Sequence, residues 1–168
     1  MTPADQQIAF IGAGNVATHM AKALRNAGMK IKAVYSHTIV SAQTLAAEVE
    51  ADAIDDIADL PEANIFVYCV KDDVLPEIAA INSLRFPNAL HIHTSGSTPA
   101  NVFLNQWHGV IYPMQTFSKN AALNFSEVRC YIEGSNRQSL KMIDNLARSL
   151  TSHVSELNTE ASLLKLVL

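Results

Sequence analysis

Residues 91–97, His-Ile-His-Thr-Ser-Gly-Ser, set two imidazoles two positions apart and follow them with a cluster of hydroxyls. In a strand, His91 and His93 share one face, because alternate residues point the same way. An imidazole can pass a proton near neutral pH, and reduction of a C=O or C=N bond by hydride needs one. His93 is therefore a candidate proton donor, with Ser95 as a second catalytic candidate. Thr94 and Gly96 could offer hydroxyl and backbone groups to a cofactor or substrate. The plainer reading is a histidine hydrogen-bonded within a strand end. H-x-H can also supply two metal ligands, but beyond His108 no third ligand is visible, and no metal is expected. A second polar set, Tyr112, Gln115 and Thr116, follows the next apolar segment and could line an opposite wall.

A different chemistry is written near the N-terminus. Ile-Ala-Phe-Ile-Gly-Ala-Gly-Asn-Val-Ala carries G-x-G-x-x-A at Gly12, Gly14 and Ala17. Gly12 permits a tight turn out of a strand, Gly14 lets backbone approach a pyrophosphate, and Ala17 lets helix pack on strand. The helix that follows presents free N–H groups and the positive end of its dipole to an anion. The end of the next strand selects between cofactors. NAD-binding chains place a carboxylate there for the ribose 2′-hydroxyl. Here the residues are Tyr35, Ser36, His37 and Thr38, with no carboxylate. Hydroxyls, backbone amides and an imidazole accept a 2′-phosphate that a carboxylate would repel, so the expected cofactor is NADP.

These residues need elements to hold them, and strand and helix patterns alternate along the chain. Strands are expected over 7–12, 30–36, 64–70, 89–95, 109–117, 127–134 and 153–157. Helices are expected over 15–28, 41–50, 73–84, 99–107 and 136–150, with a short helical turn over 55–61. The 64–70 strand is apolar on both faces, as in a parallel sheet covered on both sides. Alternation of this kind predicts an α/β fold of the Rossmann-like, doubly wound type, a mostly parallel sheet with helices on both faces. Residues 158–168 begin like a capped helix and stop in an apolar run, which suits the start of a further domain.

Composition excludes several classes. The 168 residues suffice for one sizeable core, and 49% hydrophobic with 17% charged residues is an ordinary globular balance. A net charge of −4 argues against nucleic acid or an anionic membrane as partner. No run approaches the ~20 apolar residues of a membrane span. The N-terminus lacks a basic, then apolar, signal pattern. Cys69 and Cys130 sit in apolar strands and read as free thiols in a reducing cytoplasm.

Taken in order and spacing, Ile-Gly-Ala-Gly-Asn-Val-Ala-Thr-His-Met-Ala-Lys-Ala-Leu, Val-Tyr-Ser-His-Thr, His-Thr-Ser-Gly-Ser and Tyr-Pro-Met-Gln-Thr-Phe-Ser resemble a bacterial Rossmann-like oxidoreductase family. Its members join an N-terminal NADP-binding domain to a C-terminal helical domain of unknown function. The family is similar to pyrroline-5-carboxylate reductase, the 6-phosphogluconate dehydrogenase superfamily and the deazaflavin-dependent NADP reductases. The resemblance implies that Gly12, Gly14, Asn15 and Val16 line the pyrophosphate and that Ser36, His37 and Thr38 hold the 2′-phosphate. It implies that Val70, Lys71 and Asp72 pass near the nicotinamide-side ribose. It divides the chain into an NAD(P)-binding domain at 1–157 and, at 158–168, the lead into a helical domain through which a homodimer forms. The expected function is an NADP-dependent oxidoreductase moving hydride to or from a small carbonyl or imine substrate. Two alternatives stay open: a module that binds NADP without turnover, and a prephenate-dehydrogenase-like enzyme. The second would need an arginine for substrate carboxylates, with Arg129 and Arg137 as candidates.

Overall fold

The computed structural model describes residues 5–157. Its strands are β1 (Gln7–Ile11), β2 (Lys30–Tyr35), β3 (Asp52–Ile54), β4 (Ile65–Tyr68), β5 (Leu90–His93), β6 (His108–Pro113), β7 (Cys130–Gly134) and β8 (Val154–Glu156). They form one sheet in the order β3-β2-β1-β4-β5-β6-β7-β8. β6 and β7 pair antiparallel; the other neighbours run parallel. The α-helices are α1 (Asn15–Asn26), α2 (Ile39–Val49), α3 (Leu75–Arg85) and α4 (Arg137–Leu150). This is the doubly wound α/β fold that the alternation of patterns predicts.

Two-sided burial explains the apolar strands. Ile8 and Phe10 of β1 pack with Met20 and Leu24 of α1, Leu45 of α2 and Ile143 of α4. Ala9 and Ile11, one residue out of phase, pack on the other face with Leu75 and Ala79 of α3. Each fully buried aliphatic side chain contributes roughly 1.5–3 kcal/mol relative to exposure, so the two faces together hold the layers in place. Local signals end the helices. Gly28, at φ +92, follows α1 in the left-handed conformation that a terminating glycine adopts. Its N–H bonds Arg25 O at 2.9 Å, and Met29 N–H bonds Leu24 O at 3.1 Å. Pro76 occupies the first turn of α3, and the Asn136 side chain caps α4 by accepting from Ser139 N–H at 2.8 Å.

Three expectations change. β3 is a three-residue edge strand too short to register as a pattern. The helix expected over 99–107 is only a 3₁₀ turn at Ala100–Val102. Phe103 is drawn into the core against Tyr68, and the Asn105 amide donates to the carbonyls of Pro87, Ala89 and Trp107, which holds that stretch as loop. The strand expected over 109–117 stops at Pro113.

His91 and His93 are both 0% exposed and lie on the α3 face of β5, around Phe103. They mend loops. His91 Nε2–H donates to Phe86 O at 2.8 Å, which leaves Nδ1 to accept from the Tyr68 hydroxyl at 2.8 Å. His93 Nδ1 accepts from Ser95 N–H at 3.1 Å, so Nε2–H donates to Pro99 O at 3.3 Å. Burial lowers both imidazoles from 6.5 to about 4, the carbonyl bonds opposing the shift. The folded values lie below the unfolded value, so the unfolded chain takes up more protons between pH 6.5 and about 4. Stability is full above that window and falls as pH drops through it, by up to roughly 3 kcal/mol per histidine. The thermal midpoint should therefore fall between about pH 7.5 and about pH 5. A His91→Phe chain should be weaker at the upper pH yet lose less on acidification; an unchanged slope would contradict this account.

Candidate dinucleotide cleft

The site begins where β1 ends. Gly12 N–H donates to Tyr35 O at 2.8 Å, and Ile11 O accepts from Cys69 N–H at 2.8 Å, so the chain leaves β1 wedged between the ends of β2 and β4. Gly12 has φ +112, and a Cβ on it would lie 2.3 Å from Cys69 O. Only glycine meets both conditions. Gly14 is different. It is the N-cap of α1 at φ −83, and a Cβ there would meet nothing within 4 Å. The absent side chain leaves an open cradle over the start of α1. No side chain caps that helix and its first turn has no acid, so the amides around Asn15 and Val16 remain available to an anion.

A cleft of about 600 Å³ opens beside this loop. Gly12, Ala13 and Gly14 form one wall; Tyr35 to Thr38 and Ser41 form the second; Cys69 to Lys71, Asp73, Val74 and Ile78 form the third, with Lys119 at the rim. It lies at the carboxyl ends of β1, β2 and β4, where strand order reverses and open α/β sheets hold their ligands. The second wall is itself a helix N-terminus. Thr38 caps α2 without a side-chain bond, and the first turn of α2 lacks an acid. Ser36 Oγ accepts from Thr38 N–H at 3.3 Å, which folds the β2–α2 turn inward. His37 and Thr38 stay exposed.

Of the residues singled out from sequence, Gly12, Gly14, Ser36, His37, Thr38, Val70 and Lys71 line one cleft. Asn15 and Val16 open the helix above it. Lys32 is held elsewhere, its ammonium on Glu62 O at 2.6 Å. The 93–98 turn stands apart. Ser95 Oγ accepts from Ser97 N–H at 3.2 Å and Thr98 N–H at 3.1 Å, and donates to Thr98 Oγ1 at 3.0 Å. Ser97 Oγ donates to Asp72 Oδ2 at 2.6 Å, tying the turn to the loop after β4. Thr94 N–H reaches Tyr68 O at 3.2 Å beside Cys69. His93 is buried, burial lowers its imidazole to about 4, and both ring nitrogens are engaged by backbone. Gly96 packs under Tyr112, whose ring would be 2.8 Å from a Cβ there. Of the two arginines, Arg129 adjoins the β6 end, its carbonyl accepting from Met114 N–H at 2.8 Å. Arg137 opens α4 beyond Gly134, which pairs with Gly109 at the opposite edge of the sheet.

Ser41, Asp73 and Lys119 escaped sequence reasoning. Ser41 follows from the helix start at Ile39, but nothing local marks Lys119, whose neighbour Ser118 meets His19 of α1 across 99 positions of sequence. Cys69 also lines the cleft, and burial pushes its thiol up to about 12. Among the described residues no three His, Cys, Asp or Glu side chains converge as metal ligands.

Fold and cleft define a domain of the Rossmann, dinucleotide-binding class. The chain belongs to the family described as NADP oxidoreductase coenzyme F420-dependent, whose model matches residues 7–90. It is similar to a Bacteroides fragilis protein provisionally described as an NADP oxidoreductase: 36% identity, TM-score 0.90, covering 99% of this chain and 65% of that one. Its fold is shared by prephenate dehydrogenase from A. aeolicus, solved with hydroxyphenyl propionate and NAD+, at 15% identity and TM-score 0.79, over 92% of this chain and 60% of that one. It is shared also by an imine reductase from Myxococcus stipitatus in complex with NADP+, at 15% identity and TM-score 0.75, over 96% and 58%. The chain thus spans less than two thirds of each of these relatives. No curated protein sequence matches it significantly.

Thermal unfolding separates the two glycines. Gly12→Ala should destabilise the chain by more than about 3 kcal/mol, since strain at positive φ adds to a backbone clash. Gly14→Val should cost only about 1 kcal/mol, a few degrees in the midpoint, because its Cβ enters open space and only the N-cap preference is lost. The reverse order would show that the loop is built otherwise.

Proposed function

We propose that this chain is the dinucleotide-binding part of an NADP-dependent oxidoreductase that moves hydride to or from a small carbonyl or imine substrate. The observation that carries this reading is the convergence of two uncapped helix N-termini, α1 and α2, on one cleft with no carboxylate at the end of β2. In this reading the amides at Gly14, Asn15 and Val16 hold the pyrophosphate. Ser36, His37 and Thr38, with the first amides of α2, hold the 2′-phosphate. Asp73 offers the cleft a carboxylate for ribose hydroxyls, from the loop after β4 and not from β2. When bound, the nicotinamide supplies hydride; Val70, Lys71 and Thr94 border the ring-side end.

The turn at 94–98 would form the floor on the substrate side. His93 and Ser95 position that floor, through Ser95 N–H and the two amides that Ser95 Oγ collects. The proton that accompanies hydride is not His93's to give. The resemblance extends the proposal: residues 1–157 bind the nucleotide, 158–168, which lie outside the described residues, lead into a helical domain that closes the cleft and pairs two copies, and the protein works in the cytoplasm. No helix among the described residues is long and apolar enough to cross a membrane.

Fluorescence titration with NADPH and NADH tests the assignment. NADPH should bind at least about 10-fold more tightly, one charge-assisted contact to the 2′-phosphate sufficing for that ratio. Ser36→Asp should reverse the preference, and Gly14→Val should abolish binding of both. Equal affinities in the wild type would defeat the cofactor assignment.

A further inference from the structure

We propose that Lys119 is the cation that neutralises the pyrophosphate, carried to the cleft by a strap, residues 114–121, that His19 fastens to α1. This rests on the dinucleotide reading above. A pyrophosphate brings two negative charges, whereas a helix N-terminus answers with only about half a positive charge. The glycine loop supplies no cation of its own. α1 carries two, but Lys22 pairs with Glu48 at 2.7 Å and Arg25 with Glu50 at 2.6 Å, toward α2 and its C-terminal end. A cation from elsewhere in the chain would answer the charge that remains, and Lys71 and Lys119 are the lysines that line the cleft.

Lys71 belongs to the loop after β4, the ring-side wall. Lys119 comes from the side of α1 itself. The strap leaves β6 at Pro113 and is tied first by Met114 N–H on Arg129 O. Phe117 then packs against the His19 ring, centroids 5.7 Å apart, and against Phe125 at 5.8 Å. His19 Nε2–H donates to Ser118 O at 2.5 Å. That same carbonyl accepts Ala121 N–H at 3.3 Å, closing a turn with Lys119 as its second residue. His19 lies one helical turn beyond Asn15, and Lys119 lines the cleft together with Gly12, Ala13 and Gly14. Among the described residues Lys119 makes no ion pair, and its side chain is exposed, lining both this cleft and the neighbouring cavity along His19, Lys22 and Asn26. An anchored turn holding an unpaired ammonium beside the N-terminus of α1 suits a diphosphate better than a structural role.

Calorimetric titration of the purified chain decides the matter, using NADPH and adenosine 2′-monophosphate, which lacks the pyrophosphate. Lys119→Ala should bind NADPH about 10-fold more weakly, with a shallower dependence on salt. Lys119→Arg should stay within about 2-fold, since it keeps the charge. His19→Ala should weaken NADPH by less than Lys119→Ala, and the double variant should be no worse than Lys119→Ala alone, because His19 acts through the strap. Binding of adenosine 2′-monophosphate should be unchanged throughout. Wild-type binding that survives Lys119→Ala intact would overturn this proposal and leave the dinucleotide reading standing. Equal weakening of the monophosphate would overturn it too, by moving Lys119 to the other phosphate. A wild type that binds neither nucleotide would remove both.

Discussion

How closely the chain leaving β1 can pass the end of β4 governs the whole carboxyl edge of the sheet. Ile11 O takes Cys69 N–H, and the Cys69 carbonyl then stands where any side chain on Gly12 would have to go. The chain clears that carbonyl only with positive φ and no Cβ. Having cleared it, the backbone turns at once into α1, which packs back toward β2. The second helix is set by the same register, since Gly12 N–H is held by Tyr35 O, the last residue of β2. One close approach therefore places both helix N-termini.

The other face of the sheet shows how a polar group earns a place in a core. An unpartnered buried imidazole would be costly. His91 and His93 avoid this because each answers a loop carbonyl with one nitrogen and a hydrogen-bond donor with the other. The loops before and after β5 are thus pinned to the strand by side chains. That pinning delivers Ser95 to the turn at 94–98, and Asp72 completes the tie through Ser97. The floor beyond β5 and the loop beyond β4 are consequently one hydrogen-bonded unit, although 25 residues separate Ser97 from Asp72.

Much of this was legible in the sequence, for a physical reason. Two-sided burial forces apolar runs on central strands, and helix periodicity separates them, so the α/β class follows from pattern alone. Gly12 and Gly14 announce themselves because backbone conformation and close approach are local requirements. The missing carboxylate after β2 is equally local: whatever follows that strand lines the cleft. Short or irregular pieces were not legible. β3 is held by pairing with β2 more than by its own residues, and the 99–107 stretch has helical composition but is captured by Phe103 and Asn105.

Which side chains line the carboxyl edge of the sheet depended on tertiary structure. Histidine next to a hydroxyl cluster reads as chemistry, and nothing in His-Ile-His-Thr-Ser-Gly-Ser says that the carbonyls of Phe86 and Pro99 wait for both rings. Lys119 lacks any neighbouring signal, because its place depends on His19 and Phe117 meeting across the chain. The sequence by itself determined the class of fold, the glycine turn and the carboxylate-free end of β2, since each is a requirement on a residue and its immediate neighbours. Only the tertiary structure decided which polar groups face the cleft and which are spent inside, because that depends on partners distant in sequence that burial brings within hydrogen-bond reach.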